Sequence, residues 1–403
     1  MFSHQSRRVP AWFCAILCVL LFSACNNNDK SIITLKTPTE PSVGFTSPYG
    51  VAGDDQLFHQ LELIRAEFSM PALGGFIISG DELIELDVTG VRSSTGQVPV
   101  SAFDRWSIGS FSKSMTATLA ARLVEQGVIE FDSQVADIFP ELIGKINPEL
   151  ESVTLNSLLS MTSGLQRDLA SMYSGKWHRD NRDMTSQRYD WTIELLNAQR
   201  SVPQGTYLYS NAGYVVAGHM LERVTGQAWE SLIAQELFEP LGMADVGFGS
   251  ASDDDPDGQP SGHQMREGKW HPITPTDRVD LPKVIGPAGL INTTLHDLSI
   301  YLGAYLAGAR GNDNLISASS YARLLTPVTP EYGLGWILTP NDSRFHHNGF
   351  TGTFYLDNLV LPERNVAILA VTNGDTVNAK LAVEKVIDIL LKRLDAKQHY
   401  SGK

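Results

Sequence analysis

Cysteine is nearly missing from this chain of 403 residues, which has three, Cys14, Cys18 and Cys25, and none beyond. A disulfide framework, a thiol nucleophile and a zinc-thiolate site are thereby excluded from everything downstream of residue 25. Positive charge is also scarce. Lys and Arg number 31 against 45 Asp and Glu, a formal charge of −14, so no nucleic-acid partner is expected, because phosphate binding runs on clustered cations. Long apolar runs are absent as well. The one sustained run, residues 11–22, is shorter than the roughly 20 residues that span a bilayer, and no later segment approaches that length. The chain has no His-Glu-x-x-His helix, no Gly-x-Ser-x-Gly elbow and no phosphate-binding glycine loop. Those gaps remove zincins, common α/β-hydrolases and nucleotide-dependent enzymes, and no cofactor is called for.

What is present begins with three zones: Arg7 and Arg8, the apolar run, then Ser23-Ala24 in front of Cys25. That is the grammar of an export signal. Leu21-Phe22-Ser23-Ala24-Cys25 resembles the lipobox of bacterial lipoproteins, with Phe22 where Leu is usual. The resemblance implies a signal peptide over residues 1–24 and a lipidated Cys25 holding the protein to a membrane. An ordinary cleaved signal or an uncleaved anchor is the alternative. Asn26 differs from the Asp of the inner-membrane retention signal, so the outer membrane is the expected site if the host has one. Residues 25–49, rich in Asn, Thr, Ser and Pro, read as a tether, and residues 50–396 as the folded domain.

Within that domain Leu57, Leu61, Ile64 and Phe68 recur at helical spacing after Asp54-Asp55. Strands are predicted over residues 73–79 and 83–88, joined at Gly80-Asp81, and again over 333–338, 353–361 and 366–372. A closing helix carries Val383, Ile387, Leu390 and Leu394 on one stripe. The region between, roughly 110 to 325, reads as mostly helical, with helices over 115–126, 214–224, 230–238 and 295–306. The expected fold is α+β: an antiparallel sheet built from both chain termini with flanking helices, plus an inserted, mostly helical lobe, and a substrate cleft between them.

Three short elements carry chemistry. Ser110-Phe111-Ser112-Lys113 puts a hydroxyl and an amine one turn apart at a helix start, and no other lysine in the chain has a serine three residues before it. An adjacent amine can take the serine proton and make the hydroxyl a nucleophile. A helix N-cap with a solvated lysine is the plainer alternative. Tyr209-Ser210-Asn211 is the only Tyr-x-Asn. A phenol beside a cationic lysine has its anion favoured and could act as base, while Asn211 can bond both a lysine and a substrate amide. The alternative is a buried tyrosine with an Asn cap. His347-Asn348-Gly349 lies on a β-like stretch whose edge could offer a polar side chain and a backbone N–H to substrate. His346 and His347, as strand neighbours, point to opposite faces, so no metal is expected there. Residues 253–258, rich in Asp, lack EF-hand spacing and read as a solvated turn. Trp106 is open between cleft lining and core.

Taken in this order, Ser-x-x-Lys, Tyr-x-Asn and His-x-Gly resemble the serine hydrolases of the β-lactamase-like superfamily, the branch with class C β-lactamases, D-peptide-cleaving penicillin-binding proteins and family VIII esterases. Residues 104–109, 158–165, 237–243 and 287–290 are similar to family segments too. The resemblance implies that Ser110 is the acylated nucleophile, Lys113 and Tyr209 its proton-handling partners, and Asn211 the residue that orients a substrate amide. It implies an oxyanion hole from the backbone N–H groups of Ser110 and Phe350, and substrate contacts from His347, Asn348 and Gly349. His347 and Asn348 stand where class C β-lactamases carry the Lys and Thr of Lys-Thr-Gly. The expected activity is therefore a serine hydrolase acting on a D-amino-acid peptide or amide or on a small ester. A class C-like β-lactamase and a non-catalytic penicillin-binding ectodomain are the alternatives. The expected partners are that substrate and, through Cys25, a membrane. Cys25→Ser should release the protein from membranes or trap its precursor, and an intact mass of the native protein showing an unmodified amino terminus elsewhere would overturn the lipid assignment.

Overall fold

A computed structural model describes residues 47–254, 258–274 and 281–401. The expectations for the signal, Cys25 and most of the tether fall outside these residues, as do residues 255–257 of the Asp-rich turn. The first element is helix α1 (Leu57–Phe68), whose Leu57, Leu61 and Ile64 are buried and which Ser69 stops in the left-handed region. Strands β1 (Ala72–Ser79) and β2 (Glu82–Gly90) follow as a hairpin. From the other end of the chain come β3 (Ile337–Leu338), β4 (Phe345–His346), β5 (Gly349–Phe350), β6 (Tyr355–Leu361) and β7 (Val366–Thr372). Together they form one seven-stranded sheet in the order β2-β1-β7-β6-β4-β3, with β5 also paired to β6. Every pairing is antiparallel.

The two terminal hairpins meet along β1 and β7, where Leu73 faces Thr372 and Ser79 faces Val366. Their side chains alternate between two cores, as the pleat requires. Leu73, Ile77, Val366, Ile368 and Ala370 pack with α1 and the C-terminal helix Val377–Ser401. Phe76, Ile78, Ala367, Leu369 and Val371 pack on the opposite side with the helix Leu295–Ala309. Gly74 and Gly75 let both layers close, since a Cβ on the first would lie 2.9 Å from Leu295 and on the second 3.1 Å from Val386.

The mostly helical middle of the chain also holds short strands that the sequence reading did not include. Arg105–Ser107, Ile291–Thr294 and Val246–Phe248 form a three-stranded sheet, and His263–Arg266 pairs with Lys269–Pro272. These strands are three or four residues long, too short to show a period of two. The strand expected over 333–338 shrinks to two residues. Gly333 and Gly335 are pressed against backbone, a Cβ on Gly333 lying 2.4 Å from the Leu324 carbonyl, so the segment threads a gap instead of joining a ladder. Trp106 is fully buried, which decides for the core. No helix among the described residues is long and apolar enough to cross a membrane.

The chain ends are tied by Arg393, fully buried in the C-terminal helix. Its Nη2 donates to Asp54 and Glu85 at 2.7 Å each, its Nε to Glu85 at 3.0 Å, and its Nη1 to the Tyr49 carbonyl at 2.5 Å. Removing one side of such a network leaves its carboxylates uncompensated. Arg393→Met should cost about 3–5 kcal/mol in urea unfolding, and a loss below about 0.5 kcal/mol would contradict this role.

Candidate active site

The helix Ser112–Glu125 is buried along nearly its whole length, and its small polar residues are satisfied inside the protein. Thr116 donates to the Pro287 carbonyl at 2.8 Å, and Ser112 accepts from the Ile291 amide at 3.2 Å. Ahead of it runs a tight turn, Gly109–Phe111, which carries Ser110. The turn is allowed by Gly109, with φ of +52°, where a Cβ would meet the Phe350 amide nitrogen at 2.5 Å. Gly349 is as constrained, because a Cβ there would lie 1.9 Å from the Ile108 carbonyl. Two glycines thus let strand β5 rest directly on the turn and bring the Phe350 amide beside Ser110.

Lys113 is wholly buried one turn after Ser110, and its Nζ has three partners: Ser110 Oγ at 3.0 Å, Asn211 Oδ1 at 2.7 Å and the Ala288 carbonyl at 2.6 Å. Burial drives its amine well below the ordinary lysine value, with Asp168 opposing the shift and Arg167 adding to it. A neutral amine has two N–H donors and one lone pair. Asn211 Oδ1 and the Ala288 carbonyl can only accept, so they take the two donors and the lone pair is left for the Ser110 hydroxyl.

Tyr209 hydrogen-bonds to the Ser110 side chain, and Lys113 Nζ lies 4.9 Å from its ring centroid. The expectation of a phenolate favoured by a cationic lysine is not met. Burial pushes the Tyr209 hydroxyl up to about 12, outweighing the Ser110 hydrogen bond and the charge of Arg167 that pull it down. The reason is mutual: the same burial that raises the Tyr209 hydroxyl lowers the Lys113 amine. Asn211, the first residue of the helix Asn211–Thr225, uses its oxygen on Lys113 and donates from Nδ2 to Asp168 Oδ1 at 2.7 Å. Asp168 was not picked out from the sequence. It sits just past the segment with family likeness, and its value lies in holding Asn211 while accepting from Arg167 and from the Tyr173 hydroxyl at 3.2 Å each.

A cleft of about 720 Å³ opens on Ser110, Tyr209, Asn211, Asn348 and Phe350, with Arg167, Asp168 and Lys380 at its walls. His347 is not among the lining residues. It is 1% exposed, with Nε2 3.2 Å from the Tyr332 hydroxyl and Nδ1 2.8 Å from the Asn348 carbonyl. The expectation that its side chain meets the substrate is therefore corrected: the residues between β4 and β5 leave the ladder and turn the imidazole inward. Burial, reinforced by Lys113, holds it down at about 3. His346 faces the other way, 3.1 Å from Asp357. Gly349 contributes the close approach described above.

The His347 shift has a sign. An unfolded chain takes up a proton as the pH falls below the ordinary histidine value of 6.5, whereas native His347 refuses it down to about 3. Stability is therefore lost through that window and is indifferent to this group above it. His263, held down at about 4 mainly by burial, acts in the same direction. His347→Gln should flatten part of the loss in urea midpoint between about pH 7 and about pH 4.5, and an unchanged pH dependence would contradict the assignment.

Comparison with known proteins agrees with this arrangement. The family model described as Beta-lactamase matches residues 63–390. Penicillin-binding protein 4 of Amycolatopsis lactamdurans is 25% identical over 341 residues, which are 78% of this chain and 84% of that protein. Protein flp of Staphylococcus aureus is 22% identical over 316 residues, 77% of this chain but 60% of its own length. Among solved structures, the octameric penicillin-binding protein homologue from Pyrococcus abyssi superposes with a TM-score of 0.68 at 23% identity, covering 83% of this chain and 77% of that one. The D-alanine carboxypeptidase AmpC from Burkholderia cenocepacia gives 0.64 at 22% identity, covering 84% of this chain and 98% of its own. Those structures share the fold, and the family match, which spans the sheet, the buried helix and every cleft residue named above, identifies this chain as a member of the β-lactamase family.

Proposed function

We propose that the protein is a serine hydrolase that works through an acyl-enzyme on a D-amino-acid peptide or amide, or on a small ester. The observation that carries the reading is the Lys113 amine, buried, uncharged in tendency, and aimed by two pure acceptors at the Ser110 hydroxyl. In this reading Ser110 Oγ attacks the substrate carbonyl and gives its proton to Lys113. Tyr209, kept protonated, bonds the same oxygen and hands a proton to the leaving atom, to be replenished from Lys113. The backbone N–H groups of Ser110 and Phe350, brought together by Gly109 and Gly349, receive the oxyanion. Asn211 holds Lys113 in line and has one amide hydrogen left for a substrate carbonyl, and Asn348 lines the wall where the acyl arm passes.

A β-lactamase with relaxed carboxylate recognition is the second reading, and the burial of His347 speaks against it. The strand position that carries a lysine in class C β-lactamases offers no charge to the cleft here. A nitrophenyl ester and a D-alanyl peptide should accordingly be turned over with higher kcat/KM than a chromogenic cephalosporin. Efficient cephalosporin hydrolysis with little ester or peptide turnover would reverse the preference.

The nucleophile is tested by covalent labelling. A fluorophosphonate should attach to Ser110, with labelling lost in Ser110→Ala and slowed at least about 100-fold in Lys113→Met and Tyr209→Phe. Because the neutral amine is the base, the labelling rate should rise with pH through a limb well below the ordinary lysine value. Labelling that persists in Ser110→Ala would refute the assignment.

A further inference from the structure

Asn211 can hold Lys113 in line only while its oxygen, and not its nitrogen, faces the amine. The two ends of a primary amide are alike in shape and opposite in hydrogen bonding. With the oxygen on Lys113, the amide occupies one lysine N–H. Turned over, it would aim an N–H at the lysine lone pair, the one that Ser110 needs. Asp168 decides between the two, because a carboxylate only accepts. It takes Asn211 Nδ2 at 2.7 Å, which leaves Asn211 Oδ1 for Lys113 at 2.7 Å.

The surroundings of Asp168 hold it to this task. Its side chain is 11% exposed, and its loop is pinned to the start of the Asn211 helix on both sides. The Ser210 hydroxyl donates to the Gln166 carbonyl at 2.6 Å, and the Ala212 amide to the Arg167 carbonyl at 3.0 Å. The second carboxylate oxygen takes Arg167 Nε and the Tyr173 hydroxyl at 3.2 Å each, so both oxygens are engaged. We propose that Asp168 is a positioning residue for acylation: by fixing the Asn211 amide it keeps the Lys113 lone pair on Ser110. This rests on the reading of Lys113 as the base. The other groups facing the amine carry no charge near neutrality. Tyr209 and Tyr214, with ring centroids 4.9 and 5.6 Å from Nζ, have hydroxyls pushed up by burial, and His347 is held down mainly by burial. Next to burial, the larger effect, the charges acting on Lys113 are therefore Asp168, which raises it, and Arg167, which lowers it.

The test reads the lysine and the serine separately, in the full-length protein. Lys113 is titrated through the NMR shift of its Cε in lysine-labelled protein, the signal being assigned by its loss in Lys113→Met. Asp168→Asn keeps the shape, drops the charge and can donate as well as accept. It should move the Lys113 midpoint to lower pH, and fluorophosphonate labelling of Ser110, measured above that midpoint, should slow by at least about tenfold. In an Asn211→Ala background the same substitution should change labelling by less than about twofold, because the intermediary is gone. An unchanged midpoint, or an equal slowing with and without Asn211, would overturn the assignment. A midpoint that moves while Ser110 of the unsubstituted protein takes no label would overturn the hydrolase reading and leave the control of Lys113 by Asp168 standing.

Discussion

The functional part of this molecule depends on one contact with no room in it, the seat of strand β5 on the turn that carries Ser110. Two backbones can approach that closely only where no Cβ intervenes, and Gly109 lies against the Phe350 backbone while Gly349 lies against the Ile108 carbonyl. The sheet comes from the two ends of the chain and the buried helix from its middle, so this contact is where they are brought into register. Through it the fold places the Phe350 amide against the turn that carries Ser110. A methyl group at either position would part the two by an ångström or more, a displacement of the kind that removes well-aligned donors from a developing charge.

The second constraint is electrostatic. A lysine with no exposure and no carboxylate in direct contact is costly as an ammonium ion, and burial accordingly drives its amine well below the ordinary lysine value. Tyr209, packed against it, resolves the same cost by keeping its proton. The two neighbours are driven toward uncharged forms in opposite directions by a single cause, on either side of one hydroxyl. Asp168 and Arg167 stand one layer out, where water shares the burden. Asp168 ends the hydrogen-bond chain that runs from Lys113 through Asn211, and Arg167 joins it from the exposed side.

Much of this was legible in the sequence, and the part that was not has identifiable causes. The hairpins at both ends announced themselves because β1 and β7 are long enough to show uninterrupted apolar runs between clear turns, and the β7 boundaries, Val366 and Thr372, coincide with the expected ones. The serine-lysine spacing and the tyrosine-asparagine pair marked residues that do converge on one cleft. The short strands at Arg105, Val246 and Ile291 were invisible because three or four residues carry no periodicity. His347 was placed by motif order, which tells where a residue falls along the chain and says nothing of which way its side chain turns. Asp168 could have been suspected only from an acid immediately following Arg167 in a wall of the cleft, a signal too common to single out. The anionic tendency expected of Tyr209 counted its lysine neighbour and not its burial, which pushes the phenol the other way.

The union of β1 with β7 carries a consequence for how such a chain comes to be folded. The Thr372 hydroxyl bonds the carbonyl of Ala72 across a separation of 300 residues. A sheet that pairs two strands synthesised at opposite ends of the chain has high contact order, and closure of so long a loop must precede any reward from pairing. Until the last strand is available, Phe76, Ile77 and Ile78 have only β2 on one side and an open edge on the other, with neither covering helix layer complete. That edge is long, apolar and nearly free of charge, the features that favour pairing with another chain. The nascent protein therefore passes through an interval in which this apolar strand is unsatisfied, and its yield depends on whatever keeps that strand from neighbouring copies until the C-terminal segment arrives.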